Sequence, residues 1–378
     1  MREPMTNADV VRFEELVTAS GHRFGLATLH APATLNALSL AMVQALAPVL
    51  HRWETDDAIA GVVLQGAGDR AFCAGADLHE LYHSLRQGGA DPSAYARGFF
   101  AQEYELDYRI HTYAKPFVCW GHGIVMGGGL GLMAGASHRV VTPQSRIAMP
   151  EINIGLYPDV GGSWLLGRMP GRVGLFLALT GASLDAADAM FCGVADFALD
   201  AGGRAPLLAA IQAARWTGSP SDDRAAVSQL LAAQALRDLP VSNVRQRFDL
   251  INEWTAGEAL PEIAARLRAV RSDDPWLTRA VHAFTSGSPT SAALAFELRR
   301  RARHLSLADV FRLEYDVSLG CCAHPDFVEG IRALLIDKDR TPRWTPASIE
   351  EVTPQLIEDH VRPRYAGPHP LAELDRRS

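Results

Sequence analysis

Residues 121–137 read GHGIVMGGGLGLMAGAS, and the parsing of this run decides the fold. Its first part continues a β-rich stretch, and its second part reads as a helix. Seven glycines fall within 121–135, three of them consecutive, where the strand gives way to the helix. Three demands could place them there: left-handed turn geometry, close packing of helix on sheet, or free N–H groups at a helix start facing an anionic atom. In each case backbone must come close to something.

Working outward, strand-like runs rich in Val, Ile and aromatics occur at 24–32, 59–68, 115–125 and 138–151, each ending in turn-forming residues. Between them lie helical patterns. After Ser39 as N-cap, Leu40, Val43, Leu46, Leu50 and Trp53 recur at helical spacing, although Pro48 should kink this helix or shift its start. Strands alternating with helices predict an α/β fold with parallel pairing. After about Asp200 the character changes to Ala-rich, charge-patterned helices such as 225–239 and 290–305, the latter with Thr290 or Ser291 as N-cap. The segments 287–290 and 362–370 read as loops. The organisation expected is a core over 1–200 followed by a helical C-terminal region over 201–378.

The 378 residues suffice for a large core, and a net charge of −7 offers no general attraction to nucleic acid or to an anionic membrane. Cys73, Cys119, Cys192, Cys321 and Cys322 form an odd set without CxxC spacing or paired histidines. Neither a disulfide framework nor a metal site is expected, and a reducing, cytoplasmic compartment fits best. No apolar run reaches the roughly 18 residues that argue for a membrane span.

Two carboxylates, Glu151 and Asp159, stand in the otherwise apolar stretch 147–164, IAMPEINIGLYPDVGGSW. Buried charges must be paired or used. Glu151 could cap a helix or pair with Arg139 or Arg146; alternatively, it could act beside backbone donors as base or nucleophile. One donor placed where an oxyanion develops is worth about 2.7–4 kcal/mol. The run GAGDRA at 66–71 matches a dinucleotide fingerprint, but no helix can open at those glycines, and the required acidic residue would fall in the polar loop RQGGAD, 86–91.

The motifs FCAGADL (72–78), HGIVMGGGLGL (122–132) and AMPEINIGLYPDVGG (148–162) together resemble the enoyl-CoA hydratase/isomerase, or crotonase, superfamily. Within it, FFAQEY (99–104), PDVGG (158–162), SPTS (288–291) and HPDFVEGIRALLIDKDRTPRW (324–344) are similar to the 3-hydroxyisobutyryl-CoA hydrolase branch. The resemblance implies a crotonase-like spiral of ββα units with a helical C-terminal region. It implies an oxyanion hole from the backbone N–H groups of Ala76 and Gly128, with Ala74, Gly75, Asp77 and Gly127 beside it. It further implies a CoA contact, made largely by backbone, at Asn36, Ala37 and Leu38. Glu151 matches the second glutamate of the hydratases, Asp159 falls where hydrolases carry Asp, and Gly131 stands where hydratases carry their first glutamate. Glu103 is implied to face the hydroxyacyl end of the substrate, whereas by itself it reads as part of a solvated helix face.

These implications lead to an expected hydrolysis of a short branched β-hydroxyacyl-CoA, with no metal and no cofactor beyond the CoA of the substrate. An acyl-CoA partner and a trimeric or hexameric homo-oligomer are implied, and no nucleic acid or membrane. The alternatives are a hydratase or isomerase on the same fold, or a non-catalytic acyl-CoA-binding protein. His122, His138 and His324 read as core or surface histidines without partner acids. Ser163 lacks the second glycine of a nucleophile elbow, and Cys73 reads as a small buried thiol.

Overall fold

The computed structural model describes residues 10–86 and 93–376, so most of the RQGGAD segment lies outside the described residues. The first half of the chain repeats a strand, strand, helix order. Strands β3 (Ile59–Gly66), β5 (Phe117–Gly121) and β7 (His138–Val141) join β1 (Val11–Val17), β2 (Arg23–Leu29) and β9 (Phe197–Ala198) in a six-stranded sheet of order β1-β2-β3-β5-β7-β9. Their successors β4 (Ala71–Cys73), β6 (Ile124–Met126) and β8 (Arg146–Ala148) form a second sheet of order β4-β6-β8. Every pairing in the large sheet is parallel except β1 with β2. Two of the four expected strand runs are therefore each two strands. Gly123, at φ +58, turns the chain between β5 and β6, and the Ser145 hydroxyl braces the turn between β7 and β8 by accepting from Thr142 N at 2.8 Å.

Strand β1 was not legible as a strand. It is an edge whose residues are mostly exposed, held by Phe13 edge-on to Trp53 and by the Trp53 indole donating to Glu15 at 2.9 Å. The helix Leu40–Thr55 starts after Ser39, as expected, and buries Met42, Val43, Leu46, Leu50 and Trp53. Its start is not shifted by Pro48, which sits on the exposed face. There the missing backbone bond is least costly. After Gly66 the chain turns into β4 instead of a helix, so the dinucleotide fingerprint has no structural context.

By contacts the chain divides into two units that interleave in sequence, rather than at residue 200. The first comprises 1–76, 106–147 and 184–242; the second comprises 77–105, 148–183 and 243–378. In the first, the helices Arg204–Ala213 and Pro220–Gln234 bury Leu207, Ile211, Val227 and Leu231 against Phe24, Val63, Val118, Trp120 and Val140 of the large sheet. The region after Asp200 is helical, as expected, but only its part from 243 onward belongs to the second unit. There the helix Pro289–Arg301 is capped by Ser288, whose hydroxyl accepts from Ser291 N at 3.1 Å, and not by Thr290 or Ser291. Pro289 explains the difference, because a proline is favoured at the first helical position, where its absent N–H costs nothing.

Candidate active site

In the first unit the sequence brings the glycine run against the FCAGAD loop. Gly129 cannot carry a side chain, since a Cβ there would lie 2.3 Å from the carbonyl oxygen of Cys73. Gly75, at φ +104, passes so close that its Cβ would meet the Met126 oxygen at 3.2 Å and the Gly127 Cα at 3.8 Å. Gly127, at φ 49 and ψ −124, is the N-cap of the helix Gly128–Ala134. Of the three demands on these glycines, left-handed geometry and close packing are thus both met here. The amides of Ala76 and Gly128 take no acceptor among the described residues. The segment 35–38 lies alongside: Leu38 N donates to Gly75 O at 2.7 Å, and Ala74 N to Leu35 O at 3.1 Å. Asn36 is fully buried with φ 54, its Oδ1 accepting from Ala31 N and its Nδ2 donating to the carbonyls of Ala67 and Ala71. Its side chain is used in holding the turn. The structure therefore gathers Asn36, Ala37, Leu38, Ala74, Gly75, Ala76, Gly127 and Gly128 into one neighbourhood.

In the second unit four acids are buried, and Asp159 acts electrostatically on both Glu151 and Glu314. Glu103, Glu151, Asp159 and Glu314 are 1%, 4%, 5% and 0% exposed. The burial of Glu103 excludes the solvated helix face that its neighbours in sequence suggested. Glu151 opens the short helix Glu151–Ile154, and Gly155, at φ +72, closes it. This turn is seated tightly on the helix Pro325–Ile331, because Cβ atoms at Gly155 and Gly330 would meet Asp326 and Ile154 backbone at 2.3 and 2.4 Å. Ser288 N also donates to Ile152 O at 2.9 Å. Glu151 Oε2 has no hydrogen-bond partner among the described residues. The bland pairing is excluded for Arg139, whose guanidinium holds Asp196 at 2.6 Å, and Arg146 is exposed. Burial and then the charge of Asp159 push the Glu151 carboxyl well above its usual range. Asp159 is likewise raised by burial, against the Tyr104 hydroxyl, which donates to its Oδ2 at 2.7 Å. In both carboxyls burial disfavours the ionised form, with no cation among the groups that shift them. Asp77 does not join them as a side chain: its Oδ1 accepts from His79 N at the start of the helix Leu78–Arg86.

Several buried neighbours of these acids were not readable from the sequence. Glu314, on the helix Leu307–Ala323, accepts from Gly161 N at 2.7 Å and Ser163 N at 2.9 Å, clamping the loop that carries Asp159. Burial raises its carboxyl to about 8. Ser318, one helical turn on, meets the hydroxyls of Tyr104 at 2.7 Å and Tyr157 at 2.9 Å. The only sequence signal was a Glu and a Ser one turn apart on a helix, 151 residues or more from their partners. His122 and His138 are core histidines held by the Gly68 carbonyl and by Ser137, Arg224 O and Ser228 respectively. His324 does have an acid beside it, Asp359 at 3.2 Å, and it stacks on His360. All five cysteines are buried, and none forms a disulfide.

The sequence profile of the enoyl-CoA hydratase/isomerase family matches residues 24–361. A protein named 3-hydroxyisobutyryl-CoA hydrolase, mitochondrial, from Gallus gallus is 36% identical over 343 residues, 90% of this chain and 86% of that one. The Homo sapiens protein of the same name is 34% identical over 351 residues, 92% of this chain and 89% of that one. Among solved structures, a carnitinyl-CoA dehydratase from Mycobacterium thermoresistibile aligns with a TM-score of 0.82 at 38% identity. An enoyl-CoA hydratase from Rhodobacter sphaeroides 2.4.1 aligns with a TM-score of 0.80 at 37% identity. Each alignment covers 94% of this chain and 97% of the other. The ββα succession and these matches give one conclusion: the chain has the crotonase fold and belongs to the enoyl-CoA hydratase/isomerase family.

Proposed function

We propose that this protein hydrolyses a short branched β-hydroxyacyl-CoA, 3-hydroxyisobutyryl-CoA, to the free acid and CoA, as in valine breakdown. The observation that carries the reading is the buried, cation-free pair Glu151 and Asp159, and the curated relatives carry the name of that activity. In the reaction the amides of Ala76 and Gly128 receive the thioester oxygen as it becomes negative. Glu151 attacks the carbonyl carbon, either with its own oxygen, giving a mixed anhydride that water then opens, or through a water it deprotonates. The C–S bond breaks, and Asp159 supplies the proton that leaves with the CoA thiol. Glu103 faces the hydroxyacyl end, while Asn36, Ala37, Leu38 and the loops at Ala74, Gly75, Asp77 and Gly127 border the CoA. No cofactor beyond the CoA of the substrate takes part. We place the protein in a reducing cytoplasmic compartment, in keeping with five buried cysteines outside any disulfide, and assign it a trimeric or hexameric assembly. No helix among the described residues is long and apolar enough to cross a membrane.

A second reading, hydration of an enoyl-CoA, is favoured by the solved structures described as a dehydratase and a hydratase. Gly131 weighs against it, because a glycine offers no carboxylate to align water at Cβ. The test is a panel of acyl-CoAs followed by free-thiol release. The expected order puts 3-hydroxyisobutyryl-CoA above unbranched β-hydroxyacyl and saturated esters in kcat/KM. Failure to release thiol from any β-hydroxyacyl-CoA overturns the proposal.

A further inference from the structure

Four hydroxyl and carboxyl groups in the second unit form an unbranched chain whose protons can be counted. Tyr104, on the helix Ala94–His111, donates to Asp159 Oδ2 at 2.7 Å and also lies 2.7 Å from Ser318 Oγ. Ser318 Oγ lies 2.9 Å from Tyr157 Oη, and Tyr157 donates to the Glu314 carbonyl oxygen at 2.5 Å. All four side chains are buried. The chain has four contacts, Asp159 to Tyr104, Tyr104 to Ser318, Ser318 to Tyr157, and Tyr157 to the carbonyl. Each hydroxyl owns a single proton. With Asp159 ionised there are three protons for four contacts, so two oxygens must face each other without a hydrogen between them. A proton on Asp159 Oδ2 supplies the fourth, and every contact is filled in one direction, from Asp159 to the carbonyl.

We infer that Tyr104, Ser318 and Tyr157 are positioning residues that fix the Asp159 carboxyl and make its protonated, acid form the one in which the network is complete. The Glu314 carbonyl can only be the terminal acceptor, since a carbonyl has no proton to return. The inference rests on the proposed place of Asp159 in the hydrolytic site and extends it: Asp159 is held ready as the acid for the leaving thiolate. The other titratable groups that bear on this network are Glu103, Glu151, Glu314, Cys321 and Cys322, all buried and none cationic. Burial raises the Asp159 carboxyl, whereas the hydroxyl chain acts through a count of protons. This distinguishes the two.

The count gives opposite signs for neighbouring substitutions. Ser318→Ala cuts the chain so that Tyr104 serves the ionised carboxylate with nothing left unfilled. Tyr157→Phe likewise lets Ser318 donate to Tyr104 and Tyr104 to the carboxylate. Both should lower the Asp159 titration midpoint, while Tyr104→Phe removes the side-chain hydroxyl that donates to the carboxylate and should raise it. A shift of about one pH unit either way is expected for one hydrogen bond. The measurement is the carboxyl titration of the full chain labelled with [13C]carboxyl aspartate, Asp159→Asn identifying the signal, without substrate. Opposed shifts support the relay. A rise, or a shift below about 0.3 unit, in both Ser318→Ala and Tyr157→Phe overturns it, as does a fall in Tyr104→Phe; the first two variants suffice if Tyr104→Phe fails to fold. Because no thioester is present, the result stands even if the parent proves not to be a hydrolase. If it is one, the acid-form limb of its pH profile moves with the titration.

Discussion

Glu151→Gln separates chemistry from architecture at the centre of the site. The amide keeps the shape of the side chain and removes an acid that is 4% exposed, with one oxygen unpartnered. A general base contributes about 10²–10⁴-fold, and each tenfold is 1.36 kcal/mol. The barrier should therefore rise by about 2.7–5.4 kcal/mol, with kcat falling at least 100-fold and KM little changed. Stability should move the other way. Burial and the charge of Asp159 raise the folded-state pKa of Glu151 above its unfolded value. Its favourable contribution is complete below the unfolded pKa, near 4.3 on the reference scale, and is lost as pH rises toward the raised folded value. The variant has no proton to lose there, so its melting temperature should match or exceed that of the parent at pH 5 and gain on it increasingly towards pH 8. Free-thiol kinetics and melting across that range provide the assay. Normal kcat in a folded variant, or lost activity accompanied by a lowered melting temperature, refutes the reasoning.

Two further substitutions address the loop beside Glu151. Asp159→Asn should reduce thioester hydrolysis by about 10²–10⁴-fold while circular dichroism stays unchanged; parent-like turnover of 3-hydroxyisobutyryl-CoA removes Asp159 from the chemistry. Glu314→Ala strands the buried amides of Gly161 and Ser163, each costing about 1–3 kcal/mol, so urea unfolding should show a loss of about 2–6 kcal/mol. An unchanged unfolding midpoint would show that water or a shifted backbone takes the place of the clamp.

What was legible in the sequence is what local rules control. The strand and helix alternation followed from Val- and Ile-rich runs between turn residues, and the positions of Glu151, Asp159 and the glycine run came from contiguous motifs. Boundaries set by single backbone conformations were lost, such as the break at Gly123, at φ +58, that makes two strands of 115–125. The edge strand β1 was hidden because its outward residues are polar, and edge strands need only one buried face. Glu103 looked solvated because sequence shows a helix face but not what covers it. The Glu314 clamp and the Ser318 contacts join residues 151 to 214 positions apart; no periodicity or spacing rule spans that separation. The same holds for Asp359 beside His324.

The central claim is that attack falls on the carbonyl carbon and not on Cβ, because Gly131 offers no carboxylate and Asp159 adds one. The most direct measurement follows free thiol and alkene absorbance in parallel, with the same enzyme sample, on 3-hydroxyisobutyryl-CoA and on crotonyl-CoA. Thiol release from the first, with little or no loss of alkene absorbance from the second, is the predicted result. Rapid loss of crotonyl-CoA absorbance with no thiol released from 3-hydroxyisobutyryl-CoA contradicts the account and establishes the hydratase reading in its place.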